Sequence, residues 1–143
     1  MGATACVDCP SLKYCSGSGA APATCSAGTF MSRQGDTSTY YSTLASTCSN
    51  CAAGHSCTGT TAPAICVAGT YPVDSANNYV ALSAVSCNTC TNRFYCTGGS
   101  ANQVHCPAEY YHTSTSGTYV SMGARLCEAC PSGYRCPTAG GNK

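Results

Sequence analysis

The 143-residue chain has no tryptophan, two phenylalanines (Phe30, Phe94), one isoleucine (Ile65) and four leucines (Leu12, Leu44, Leu82, Leu126). So few large side chains cannot fill one sizeable core for a chain of this length, and something covalent must replace the missing burial. Charge is equally sparse. Six basic and five acidic residues give a net charge of +1, with no cluster of either sign. A nucleic-acid partner needs a basic patch or stripe, so none is expected. No apolar run approaches the roughly 20 residues that cross a bilayer. Membrane contact is therefore expected only through segments outside this sequence. No carboxylate pair, triad or nucleophile with a placed base is present, so neither a catalytic role nor a cofactor is expected. The opening "MGATACVDC" has neither the basic nor the apolar region of a leader peptide.

What the chain does have is cysteine, fifteen in all, and hydroxyls, with eighteen serines and eighteen threonines. The cysteines stand at 6, 9, 15, 25; 48, 51, 57, 66; 87, 90, 96, 106; and 127, 130, 136. Each group opens C-x2-C-x5-C. From Cys6 to Cys48, Cys48 to Cys87 and Cys87 to Cys127 the group spacing is 42, 39 and 40 residues, the signature of a tandem array. Other positions recur with the cysteines. Alanine stands three before each opening cysteine (Ala3, Ala45, Ala84, Ala124), and tyrosine eight before (Tyr40, Tyr79, Tyr119). An aromatic follows each fourth cysteine by five (Phe30, Tyr71, Tyr111). Glycine follows it by three at Gly28 and Gly69, where the next copy has Glu109.

"MGATAC" at Met1–Cys6 aligns with "MGARLC" at Met122–Cys127, so Met1 sits on a repeat position and the sequence reads as an interior window of a longer chain. The repeats divide as 1–25 (a partial first repeat), 26–66, 67–106 and 107–143 (a truncated fourth).

Three chemistries could use such cysteines. Structural zinc takes four ligands, and each repeat could supply four thiolates, but His55, His105 and His112 share no repeat position. These histidines read as solvated loop residues, and no metal is expected. A redox CxxC needs a strand before it and a helix after it, and no helical periodicity is present. Disulfides account for the whole pattern. Two pairing registers remain open. Either each group of four closes on itself, or the long loops close across groups: Cys25–Cys48, Cys66–Cys87 and Cys106–Cys127. In the second register the short loops close Cys9–Cys15, Cys51–Cys57, Cys90–Cys96 and Cys130–Cys136, and Cys6 is left unpaired in this window. The second is preferred because it staples the long segment holding the recurring tyrosine. A bridge closing about 20 residues is worth roughly 3 kcal/mol in the chain-entropy model.

The expected fold is a set of small disulfide-rich repeats in an extended tandem array, with short β-hairpins and little helix. "GTYPV" with "NYVAL" and "EYYHT" with "GTYVSM" read as hairpin arms around Asp74-Ser75-Ala76-Asn77 and Ser114-Thr115-Ser116. The tyrosines read as mini-core residues, with a stacking platform for sugar or a partner as the sharper alternative. The hydroxyl runs are candidate O-glycan sites: Thr37, Ser38, Thr39; Thr58, Thr60, Thr61; and Thr113, Ser114, Thr115, Ser116. No N-x-S/T sequon occurs.

The motifs "CSAGTF…CSNCAAGHSCTG", "CVAGTY…CNTCTNRFYCTGG" and "CPAEYY…CEACPSGYRCP" resemble ephrin-receptor-like cysteine-rich repeats of the GCC2/GCC3 type, distantly tumour-necrosis-factor-receptor modules, and the tandem repeats of ciliate surface immobilisation antigens. The resemblance implies an extracellular or cell-surface protein. It also supports the bridges Cys25–Cys48, Cys66–Cys87 and Cys106–Cys127. Glu109 departs from the shared pattern, as do Thr138, where Gly17, Gly59 and Gly98 stand two after the third cysteine, and Ser56 and Arg135, where Tyr14 and Tyr95 precede it. The function expected is a structural surface coat or filament that self-associates and carries glycans. The alternative is the ligand-binding ectodomain of a receptor or adhesin.

Overall fold

The computed structural model describes residues 9–16, 20–36, 38–91 and 94–134. Among them the backbone forms ten short strands and no helix. Every strand belongs to a two-stranded antiparallel pair. The long hairpins pair β1 (Thr29–Ser32) with β2 (Thr47–Asn50), β5 (Thr70–Val73) with β6 (Ser86–Thr89), and β9 (Tyr110–Thr113) with β10 (Leu126–Ala129). Between them lie two smaller pairs, β3 (His55–Ser56) with β4 (Ala64–Ile65) and β7 (Phe94–Tyr95) with β8 (Val104–His105). The protein is a small disulfide-rich β-hairpin protein.

A two-stranded hairpin is marginal alone in water. Here each long hairpin is stapled. Its second strand carries the cysteine that closes the long loop: Cys25–Cys48, Cys66–Cys87 and Cys106–Cys127. Opposite that cysteine stand Met31, Pro72 and His112, all fully buried. A second bridge closes the turn after each long hairpin: Cys51–Cys57 and Cys90–Cys96, with Cys9–Cys15 as the counterpart ahead of the first. The pairing therefore follows the register that crosses between groups. The expected Cys130–Cys136 bridge and the unpaired Cys6 lie outside the described residues, as do Thr37 and Arg135.

The cores are small and local. Phe30 packs on Cys51 and Cys57, with Tyr40 against them. Tyr71 and Val73 pack on Cys90 and Cys96, with Phe94 alongside. Sulfur replaces the missing aliphatics: Cys51, Cys57, Cys66, Cys90, Cys96 and Cys106 are each at most 1% exposed.

Two expectations are corrected here. "NYVAL" and "GTYVSM" are not the partner strands. Tyr79 and Tyr119 make single bridges to Val73 and Thr113, and the paired strands are β6 and β10. The staple decides this, because Cys87 and Cys127 lie on the strands that pair. The histidines are also not loop residues. His55 and His105 lie on β3 and β8, and His112 is buried on β9 with the Tyr119 ring 6.1 Å away. On β9, His112 and Thr113 are both buried: His112 lies opposite the stapled Cys127 with the Tyr119 ring nearby, and Thr113 makes a single backbone bridge to Tyr119.

Candidate functional site: the docking contacts between repeats

The repeated alanines acquire a role in the folded chain. Ala45, Ala84 and Ala124 are each at most 2% exposed. Each offers its carbonyl to the last cysteine of the preceding short loop. The Cys15 N–H donates to Ala45 O at 3.0 Å, Cys57 N–H to Ala84 O at 2.9 Å and Cys96 N–H to Ala124 O at 2.9 Å. The residue before each alanine has a left-handed backbone: Leu44 (φ 57°), Ser83 (φ 57°) and Gly123 (φ 69°). That conformation turns the chain so that its next N–H and C=O groups face the neighbour. Ser83 N–H donates to Cys51 O at 3.0 Å, and Gly123 N–H donates to Cys90 O at 2.9 Å. A loop of one repeat thus plugs into the short disulfide loop of the repeat before it. Sequence reading found the alanines but had no signal for this partner, which lies about one repeat upstream.

The plug needs a neighbour without a side chain. A Cβ on Gly28 would collide with the Ser83 carbonyl, and one on Gly69 would lie 2.6 Å from the Gly123 carbonyl oxygen. Real Cβ atoms do not come so close to backbone, so these glycines are required by packing as well as by their positive φ. A second contact joins the small hairpins of successive repeats, where a Cβ on Gly54 would lie 2.7 Å from Gly99 C and Ser100 N.

The recurring tyrosines are tethers. Tyr40 donates to Thr60 O and Tyr79 to Ser100 O, both at 2.6 Å. Each binds its long loop to the turn after the short bridge; Tyr40 is part of a small core as expected, but Tyr79 is exposed and is corrected to a surface tether. Where β1 turns back, Asp36 collects donors from Tyr41, Ser38 and Thr39. The Tyr41 hydroxyl foremost, then the Thr39 and Ser38 donors, hold the Asp36 carboxyl far below the usual carboxylate range. The same bond pushes the Tyr41 phenol up, and Arg33 stacks 4.2 Å over its ring. In the next repeat the Asn78 N–H lowers Asp74. Burial foremost, then the bond to Glu128, raises Tyr111.

Of the candidate glycan acceptors, Ser38, Thr39, Thr58, Thr61, Thr115 and Ser116 are exposed, and Thr60 and Ser114 are half-buried. Thr113 is corrected: it is fully buried on β9, so its hydroxyl cannot meet a glycosyltransferase in the folded repeat. Among the described residues no cluster of His, Cys, Asp or Glu could hold a metal ion, and no helix is long and apolar enough to cross a membrane. Compared with known proteins, the chain matches no family model, no curated protein and no solved structure.

Proposed function

We propose that this chain is a structural stretch of an extracellular surface coat or filament, O-glycosylated on its exposed hydroxyl runs and without a catalytic role. The density of disulfides suggests a secreted or extracellular protein. The observation that carries the structural role is the recurrence of one backbone contact, Cys15 to Ala45, Cys57 to Ala84 and Cys96 to Ala124. A chain whose repeats dock through the same atoms builds length rather than a single binding pocket. The resemblance to cysteine-rich surface repeats points the same way. Exposed threonines and serines, with few charges, give the solvated outer face.

The test is mass spectrometry without reduction on protein from its native source, joined to electron microscopy of the same material. Peptides linked through Cys66–Cys87, hexose-type mass on Thr58, Thr61, Thr115 or Ser116, and ordered assemblies are expected. Free thiols throughout would overturn the extracellular reading. Monomers that capture one soluble ligand tightly would replace the coat with a receptor ectodomain.

A further inference from the structure

Successive repeats stack because the residue three after each fourth cysteine has no side chain. At Gly28 (φ 84°) and Gly69 (φ 91°) the vacant Cβ position is taken by the carbonyl of the following repeat's plug. The fourth repeat has Glu109 at this position, and its backbone is the same. Glu109 is left-handed (φ 68°), and its carbonyl accepts the Cys130 N–H at 2.7 Å. Gly28 and Gly69 accept from Cys51 and Cys90 in the same way, each at 2.9 Å. The fold of the repeat thus tolerates glutamate here. The docking does not, because the atom it would meet is a backbone carbonyl anchored by the plug's own hydrogen bonds.

We propose that Glu109 is a stacking stop: it closes the docking face of the fourth repeat, so that a further repeat cannot seat there as the third and fourth repeats seat on the ones before them. The side chain is exposed, and its Cβ stands at the position that a plug carbonyl fills beside Gly28 and Gly69. The carboxylate it carries would repel a carbonyl oxygen brought close, which adds an electrostatic term to the steric one. The array then has a defined end or bend at this face, set by one residue and independent of the coat reading.

The test installs the stop inside the array. Gly69→Glu is made in the full chain and amide hydrogen exchange is followed residue by residue, with the bridges mapped by mass spectrometry. The expected result is loss of protection at Gly123 and Cys96, whose amides donate across the repeat boundary, to the rate of exposed loop amides. Cys90, whose amide donates to residue 69 within the repeat, stays protected, and Cys90–Cys96 and Cys106–Cys127 still form. Gly28→Glu, read at the Ser83 and Cys57 amides with Cys51 as the internal control, repeats the test one boundary earlier. Protection of Gly123 and Cys96 retained beside Glu at 69 would overturn the proposal. So would failure of both variants to form their bridges, because the repeats would then not share the tolerance that Glu109 displays.

Discussion

At the scale of single residues, equivalent positions in different repeats act as natural controls. Val73 and Thr113 occupy the same buried site, each the last residue of its strand and bridged to the recurring tyrosine. The Thr113 hydroxyl finds no hydrogen-bond partner among the described residues. Burying an unsatisfied hydroxyl costs about 1–3 kcal/mol. Thr113→Val is therefore expected to stabilise the fourth repeat by about 1 kcal/mol, read as slower hydrogen exchange in β9 and β10. Asp36 gives a pH prediction. Its folded pKa is depressed, so its contribution is present above the ordinary aspartate range and is lost only as pH falls through the lower folded value. The Tyr41 phenol is raised, so that bond is present below the ordinary tyrosine range and is lost as pH rises through the folded value. An NMR titration should show the 33–41 turn unchanged through pH 4. Asp36→Asn should disorder it at neutral pH.

At the scale of the element, each long hairpin joins two four-residue strands. Such strands do not hold by themselves, and the position of the half-cystine decides which segments pair. In the third repeat the Cys66–Cys87 bridge spans 21 residues. Replacing both cysteines with alanine is expected to cost roughly 3 kcal/mol. Exchange should then rise across β5 and β6 while β1 and β2, held by Cys25–Cys48, keep their protection. Equal loss in both hairpins would mean that the repeats unfold as one unit. "GTYPV" was legible as a strand, but "NYVAL", read as its partner, makes only the single bridge at Tyr79. The true partner was not legible, because pairing to β6 depends on a bridge that spacing leaves open between two registers.

At the scale of the whole molecule, the array is a line of small cores joined by backbone contacts. The six bridges among the described residues, at about 2 kcal/mol each or more, equal the entire stability of an ordinary domain. Full reduction is expected to abolish the hairpin structure, with loss of the tyrosine near-ultraviolet circular dichroism. A reduced chain that kept that signal would show that apolar packing, not sulfur, holds the cores. The two glycine-to-carbonyl contacts are what turn a string of knots into a stack.

The amino-acid sequence by itself determined the covalent logic: repeats near 40 residues, a scarcity of aliphatics that leaves cystine to fill the cores, and short strands rather than helices. Composition and spacing carry that information because each follows from local chemistry. Only the tertiary structure decided what crosses from one repeat to the next. Nothing local to Ala84 names Cys57 as its partner, and nothing local to Gly69 says that Gly123 fills the space beside it. Those partners meet only when two folded repeats are brought together. The same holds for burial on β9, where Thr113 reads as one more hydroxyl in a solvated run until the chain folds back and Tyr119 bridges to its backbone.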